Sequence, residues 1–114
     1  MKIKRFGDEV EIDVIDKGDW VLCDCAYRPE ISDFISNNAG KLLSKVKDPD
    51  INRHIRYFVK YWNIPLEFED YFASWGITNN KWEGVREFSR ENIIFHSKDK
   101  EDIEALIAMK KYNL

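Results

Sequence analysis

Apolar and polar residues alternate along the N-terminal part of the chain, which is the pattern of strands in a sheet with one solvent-exposed face. In the segment EVEIDVI, each apolar residue is followed or preceded by an acidic one. The segments KIKRF, EVEIDVI and WVLCDCAY are therefore predicted to form three strands, separated by Gly7-Asp8 and by residues 16–19. An antiparallel meander is the simplest arrangement of these strands.

A spacing of apolar side chains close to 3.6 residues predicts a helix in the middle of the chain. Asp48 is a favourable N-cap, and Pro49 suits the first helical position, where its missing N–H costs nothing. The apolar stripe that follows consists of Ile51, Ile55, Phe58, Val59 and Trp62. A helix over residues 49–62 is therefore predicted.

Shorter elements are predicted on both sides of this helix. Residues 30–46 favour one or two helical pieces around the stop signal at residues 37–40. A short helix should follow Pro65 and end near Gly76, and residues 82–88 suggest one irregular turn of helix. Residues 92–96 are predicted as a late strand. The pair Asp99 and Asp102 then marks the start of a final helix, whose inner face carries Ile103, Leu106 and Ile107.

Together these elements predict an α+β fold. We expect a small antiparallel sheet, made of the three-stranded N-terminal meander plus the late strand, covered by helices on one face. With 114 residues, of which 44% are hydrophobic, the chain can form one core, so residues 1–114 are predicted to be a single domain. The first residues lack the apolar run of a signal peptide, and no segment reaches the roughly 20 apolar residues of a membrane span. A cytoplasmic location without membrane contact is expected.

Charge is distributed unevenly along the chain. The net charge is only −3, so a uniform attraction to nucleic acid is not expected. Residues 8–33 are nevertheless strongly acidic, and residues 41–60 are basic. Two surfaces of opposite charge are predicted.

The acidic segment is the first candidate interaction surface. A row of exposed carboxylates can imitate the phosphates of DNA and can steer a fast encounter with a basic partner. The alternative role of these acids is solubility and protection of a sheet edge. Because 14% of the residues are aromatic, one exposed ring could serve as an anchor. The predicted partner-binding residues are Glu9, Glu11, Asp13, Asp16, Asp19 and Trp82.

One face of the predicted helix 49–62 is the second candidate surface. Cationic side chains neutralise phosphates and a tyrosine ring can stack on a base, so this face suits nucleic acid. An ordinary solvated helix face is the alternative. The residues concerned are Arg53, Arg56, Tyr57 and Lys60, and Lys41, Lys45 and Lys47 could extend the surface.

Cys23 and Cys25 are the two cysteines of the chain. As alternate residues of a predicted strand they share an apolar face, so we expect two reduced thiols in or near the core. Metal binding together with His54 and His96 is one alternative, but the spacing does not fit a structural zinc site. Redox sensing is another, although the charge of Asp24 opposes a lowered thiol pKa. Neither a metal nor a cofactor is predicted.

Catalytic motifs are absent from the sequence. It has no Gly-rich phosphate loop, no HExxH motif and no G-x-S-x-G motif. No catalytic residue is predicted, and the protein is not expected to be an enzyme. The leading hypothesis is a small binding protein that inhibits a protein partner, and the alternative is a nucleic-acid-binding module.

The C-terminal stretch IIFHSKDKEDIEALIAMKKYNL, residues 93–114, contains the late strand, an acidic capped turn and the final helix. It resembles the ends of many small phage-encoded proteins of unassigned function. The acidic, aromatic-rich remainder is similar to immunity proteins and to the host-takeover inhibitors of phages. The resemblance implies a viral or immunity-type inhibitor of a protein partner, and it transfers no site residues. The acidic residues 8–33 suggest that this partner is a basic nucleic-acid enzyme.

Overall fold

The computed structural model describes residues 15–25, 28–47, 55–75 and 81–112. The predicted strand KIKRF and all but the last residue of EVEIDVI lie outside these ranges. The predicted helix start at Asp48-Pro49 and the predicted helix end at Gly76 lie outside them as well.

The described residues form seven strands, two α-helices and two short 3₁₀ helices. The strands are β1 (Trp20–Cys23), β2 (Gly40–Lys47), β3 (Ile55–Lys60), β4 (Ala73–Trp75), β5 (Lys81–Glu83), β6 (Val85–Phe88) and β7 (Ile93–Ser97). The α-helices are α1 (Pro29–Ser36) and α2 (Lys100–Lys111), and the 3₁₀ helices span Leu66–Phe72 and Arg90–Asn92.

Five of these strands form an antiparallel sheet in the order β6-β3-β2-β1-β7. A small second sheet pairs β4 with β5. The predicted late strand is β7, and it runs beside β1 with Phe95 opposite Leu22. The predicted α+β class with an antiparallel sheet is therefore confirmed.

The core lies between α1 and one face of the large sheet. Ile31 and Ile35 of α1 are fully buried among sheet residues such as Val21 and Val59. Phe72, at the end of the first 3₁₀ helix, joins the same cluster. Removal of these side chains from water is the main term that stabilises the arrangement.

The predicted helical region 30–46 is only partly helical. Helix α1 begins at Pro29, and it ends before Asn37, as the stop signal predicts. The second predicted helical piece is wrong, because Gly40 begins strand β2. A Cβ atom on Gly40 would lie 2.4 Å from Cγ1 of Val59, so glycine is needed where β2 passes β3.

The predicted helix over residues 49–62 is wrong, because the described part of this segment forms β3. Ile55, Tyr57, Val59 and Tyr61 also follow a period of two, and all four pack in or against the core. Short apolar runs rich in aromatic and β-branched residues fit both periods. The neighbouring strands β2 and β6, which pair with β3 on its two sides, decide the outcome.

The predicted turn of helix over residues 82–88 is also wrong. Strands β5 and β6 occupy this segment and belong to different sheets. Gly84 joins them with a φ of 77°, which glycine adopts without a steric penalty. Its N–H donates to the carbonyl of Phe72 at 2.7 Å, and its carbonyl accepts from the N–H of Tyr61 at 2.8 Å. Gly84 thus ties the two sheets together.

The predicted helix after Pro65 is confirmed as the 3₁₀ helix Leu66–Phe72. It ends earlier than expected, because residues 73–75 pair with β5 as strand β4. Trp75, which lies within the predicted helix, is therefore a strand residue.

The final helix is confirmed as α2, which packs against β7 and β1. Its N-terminal cap differs from the predicted pair of acids. Ser97 Oγ accepts a hydrogen bond from the Asp99 N–H at 3.0 Å and donates to Asp102 Oδ2 at 2.6 Å. Ile103 is fully buried, so it anchors the helix to the sheet.

Candidate nucleic-acid interface

A row of side chains crosses three neighbouring strands on one face of the large sheet. Trp20 of β1 lies opposite Lys41 of β2, and Lys41 lies opposite Lys60 of β3. Directly opposed residues of antiparallel strands project from the same face. The register therefore brings one indole and two ammonium groups together from distant parts of the chain.

A second indole, that of Trp62, lies next to this row. Its ring centroid is 5.8 Å from that of Trp20, and the ring planes are inclined by 42°. This distance is within the range of favourable aromatic pairs. The side chain of Trp62 is 46% exposed, whereas Trp20 is half-buried. Trp62 is therefore the more accessible ring of the pair.

Three ammonium groups lie over the two indoles. The Nζ atoms of Lys41 and Lys100 are 5.3 Å and 5.2 Å from the centroid of Trp20. The Nζ atom of Lys60 is 5.9 Å from the centroid of Trp62. All three distances fit a cation–π interaction. The Trp–Lys surface is defined here as Trp20, Lys41, Lys60, Trp62 and Lys100.

Much of the positive charge on this surface is uncompensated. Lys60 Nζ donates to the backbone carbonyl of Glu83 at 3.0 Å, which neutralises no charge. Lys100 Nζ is 3.6 Å from Glu104 Oε2, so the charge of Lys100 is partly compensated by an exposed ion pair. Lys41 pairs with none of the carboxylates in the described part of the chain. The Trp–Lys surface is thus locally positive in a chain of net charge −3.

A groove with a volume of about 290 Å³ opens beside Trp62. Its polar lining consists of Asn37, Asn38, Asn63, Lys100 and Glu104. Asn37 follows α1, Asn63 follows β3, and the two charged residues lie one turn apart on α2. Trp62 and Lys100 belong to both the groove and the Trp–Lys surface, so the two features are continuous.

The basic face predicted for a helix over residues 49–62 does not form, because neighbouring residues of strand β3 point to opposite sides of the sheet. Tyr57 is 1% exposed and lies in the core, so its ring is not available to a base. Arg56 donates from Nε and Nη2 to the carboxylate of Glu87, at 2.8 Å and 3.1 Å. Arg53 lies outside the described residues. Of the four predicted residues, Lys60 belongs to the Trp–Lys surface.

The predicted acidic surface is described only in part. Three of its members lie outside the described residues, namely Glu9, Glu11 and Asp13. Asp16 is exposed, and its carboxylate accepts a hydrogen bond from Lys98 at 3.0 Å. Trp82 is half-buried and packs edge-to-face on Phe58, with ring centroids 5.3 Å apart. Part of the proposed anchor is therefore already in contact within the fold.

Asp19 is buried rather than exposed, which corrects its assignment to an exposed acidic face. Its carboxylate accepts hydrogen bonds from Lys98 Nζ at 2.7 Å and from the Asp16 N–H at 2.9 Å. His96 Nδ1 lies 3.8 Å from the same carboxylate. Burial alone would raise the pKa of Asp19, but the hydrogen bonds from Lys98 and Asp16 lower this pKa below its usual value. Asp19 is thus a structural carboxylate.

The cysteines are free thiols in or against the core, as expected. Cys23 is buried and Cys25 is half-buried. Burial raises the pKa of the Cys23 thiol to about 12, so its thiolate is scarce at neutral pH. Within the described ranges, no group of three or more His, Cys, Asp and Glu residues could hold a metal ion. His54 lies outside these ranges.

Sequence reasoning missed three members of the Trp–Lys surface, namely Trp20, Trp62 and Lys100. The helical interpretation assigns Trp62 to a buried stripe. The alternation in WVLCDCAY does place Trp20 on the face opposite the cysteines, and this was the available signal. The register that joins β1, β2 and β3 could not be derived from the sequence.

The chain matches no protein-family model, and neither a curated protein nor a solved structure shows significant similarity to it. The resemblance to small phage-encoded inhibitors stays a prediction. None of the helices among the described residues is long and apolar enough to cross a membrane. Function is therefore inferred from the Trp–Lys surface and its groove.

Proposed function

We propose that the protein is a non-catalytic module that binds single-stranded nucleic acid through the Trp–Lys surface. The observation that carries this proposal is the exposed Trp62 indole, paired with Trp20 and surrounded by three lysine ammonium groups. Proteins that bind single strands combine positive charge with aromatic rings on which bases stack. The sequence suggests the same function for residues 49–62, whereas the residues that support it here lie on one face of the large sheet.

Trp62 provides the stacking surface in this proposal. A base stacked on an exposed aromatic side chain contributes about 1–3 kcal/mol to binding. The neighbouring ring of Trp20 limits the conformations open to Trp62, so less side-chain entropy is lost when a base binds.

Lys41, Lys60 and Lys100 contact the phosphates. A cation–π interaction at an exposed site is worth only about 0.5–1 kcal/mol, so an ammonium group can exchange it for a phosphate contact. Each neutralised phosphate releases counterions, which makes binding strongest at low salt.

A single strand fits this surface better than a duplex. In a duplex the bases stack on one another and present only their edges in the grooves. An indole needs a free base face. The net charge of −3 repels a polyanion at long range, so binding should depend on local contacts and fall steeply with salt.

Fluorescence anisotropy with a labelled thymidine strand of about 12 nucleotides tests the proposal. Trp62→Ala should weaken binding about tenfold, because the stacking surface is lost. The matched control is Tyr112→Ala, which removes another exposed ring, 66% exposed, just after α2. Equal losses in the two variants, or no binding of the wild type to single-stranded DNA or RNA, would reject the proposal.

Inhibition of a protein partner is the second candidate function, and the exposed acidic residues of the first 3₁₀ helix favour it. Leu66 is 77% exposed at the start of the first 3₁₀ helix. Glu67, Glu69 and Asp70 follow it and are exposed as well. An apolar side chain among carboxylates suits a basic protein, such as a nucleic-acid enzyme. The acidic segment of residues 8–33 suggests the same class of partner.

Affinity capture from a nuclease-treated lysate distinguishes this second candidate from the first. A partner that binds the wild type but not the Glu67→Lys/Asp70→Lys variant would support inhibition through the acidic residues of the first 3₁₀ helix. Glu101→Lys, at an exposed position of α2, is the control for a charge reversal elsewhere. Equal recovery of the partner with the wild type and both variants would contradict a role of the first 3₁₀ helix in partner binding.

A further inference from the structure

We infer that the groove beside Trp62 binds the ribose of a nucleotide, so that the protein prefers single-stranded RNA to single-stranded DNA. The inference rests on the proposed function, because the ribose enters the groove as part of a strand held by the Trp–Lys surface. A base stacked on Trp62 is joined to its sugar by a single bond, so the sugar lies beside the indole, where the groove opens. The groove volume of about 290 Å³ is at the lower end of the range of about 300–1,000 Å³ for small-ligand sites, which suits one sugar.

The lining of the groove mixes hydrogen-bond donors with acceptors. The ammonium group of Lys100 donates, the carboxylate of Glu104 accepts, and the side-chain amide of Asn63 does both. Glu104 lies 3.6 Å from Lys100, which is longer than a hydrogen bond, so both groups keep bonding capacity for a ligand. Such a lining does not distinguish one base from another. It is complementary to a hydroxyl group, which also donates and accepts.

Two asparagines that follow α1 present the same mixture. The side-chain amides of Asn37 and Asn38 each donate one N–H to a backbone carbonyl of α1, both at 2.8 Å. A primary amide has two N–H donors and one oxygen acceptor, so each side chain retains one donor and its oxygen for a ligand. The bonds to α1 also orient the two amides, which lowers the entropy lost when a ligand binds.

The backbone of Asn63 gives an independent indication of a binding site. Its φ is 56°, the one positive value at a non-glycine residue in the described part of the chain. Backbone conformations of this kind cost free energy and cluster at sites that hold ligands. The side-chain amide of Asn63 makes no hydrogen bond with another described residue, although it lines the groove next to Trp62. Its donors and its acceptor are therefore available to a sugar.

Ribose and deoxyribose differ in the group that would meet this lining. The 2′-hydroxyl of ribose is both a donor and an acceptor, and it is the group by which a protein distinguishes RNA from DNA. In the groove it donates to the Glu104 carboxylate and accepts from Asn63 or Lys100. Deoxyribose has a C–H bond in this place and makes neither hydrogen bond. One net hydrogen bond changes an affinity by about three- to tenfold.

Labelled uridine and deoxyuridine strands of about 12 nucleotides test this inference by anisotropy, because they differ only in the 2′-hydroxyl. The wild type should bind the uridine strand about three- to tenfold more tightly. Asn63→Gly removes the amide while keeping the positive φ accessible, and Glu104→Ala removes the carboxylate. The Asn63→Gly/Glu104→Ala variant should bring the two affinities close together. Glu101→Ala, at an exposed position of the same helix, should keep the preference.

The outcomes separate the ribose site from the proposed function. Equal affinity of the wild type for both strands, or tighter binding of deoxyuridine, would overturn the ribose site and leave single-strand binding intact. A preference for RNA that persists at full size in the Asn63→Gly/Glu104→Ala variant would also overturn it, because the groove would not be its source. Absence of binding to either strand would reject both the ribose site and the proposed function.

Discussion

The carboxylate of Asp19, just before β1, accepts a 2.7 Å hydrogen bond from the ammonium group of Lys98, just after β7. Asp19 is 2% exposed, whereas the side chain of Lys98 is 70% exposed. The Asp16 N–H donates to the other carboxylate oxygen at 2.9 Å. One buried carboxylate thus links the adjoining ends of two neighbouring strands, next to the Trp20 end of the Trp–Lys surface.

Asp19→Asn should therefore lower the free energy of unfolding by about 1–3 kcal/mol, because it weakens hydrogen bonds to a buried charged group. Urea denaturation measures the change. Asp16→Asn is the control, because that carboxylate also contacts Lys98 but is 63% exposed. Its effect should stay within about 0.5 kcal/mol. Similar losses in both variants would show that burial of Asp19 is unimportant.

The same carboxylate should make stability depend on pH in the acid range. Burial opposes the charged form of Asp19, but the hydrogen bonds from Lys98 and Asp16 outweigh it and lower the pKa below 3.8. A lowered folded pKa stabilises the fold above the unfolded pKa, and this contribution is lost as pH falls through the folded pKa. The melting temperatures of wild type and Asp19→Asn should converge as pH falls below about 3.8. A constant difference at strongly acid pH would contradict this.

The contact of Gly40 with β3 predicts that even a methyl group is not tolerated there. A Cβ atom would lie 2.4 Å from Val59 Cγ1 and 2.9 Å from Tyr61 Cζ. Both neighbours are buried, so Gly40→Ala should cost about 1–3 kcal/mol of unfolding free energy. In a Val59→Ala background, which removes the nearest atom, the same substitution should cost less. Strictly additive losses in this double-mutant cycle would argue against the clash.

Local signals explain which parts of the fold could be predicted. Asp99 marks the start of α2 and the stop signal at residues 37–40 marks the end of α1, because both signals depend only on adjacent residues. The described part of residues 49–62 was assigned to the wrong element, since its apolar residues fit a helix as well as a strand. The choice depends on pairing with β2 and β6, which lie outside this stretch of the sequence.

The candidate site depends even more on pairings between distant residues. The sequence indicates that residues 41–60 are basic, but not that Lys41 and Lys60 would stand beside Trp20. Likewise, the pattern of acids includes Asp19 in an exposed group, because its partner Lys98 lies at the other end of the chain. Composition predicted the sign of the charge, and strand register decided where it lies.

The buried thiol of Cys23 should resist alkylation in the folded protein. Its pKa is raised to about 12 by burial, and only the thiolate reacts. Half-buried Cys25 should react with iodoacetamide first, and Cys23 should follow only when the protein is unfolded in urea. Mass spectrometry of Cys25→Ala and Cys23→Ala separates the two rates. Equal rates in the native proteins would contradict the burial of Cys23.

Lys41, at the centre of the row between β1 and β3, allows the charge contribution of the Trp–Lys surface to be measured. Lys41→Glu should weaken binding of a single strand. It should also reduce the slope of log K against log salt concentration by about 0.7, the value for one lost phosphate contact. Lys110→Glu, at an exposed position in the last turn of α2, changes the net charge equally and should leave the slope unchanged. If both variants reduced the slope alike, overall charge rather than the Trp–Lys surface would govern binding.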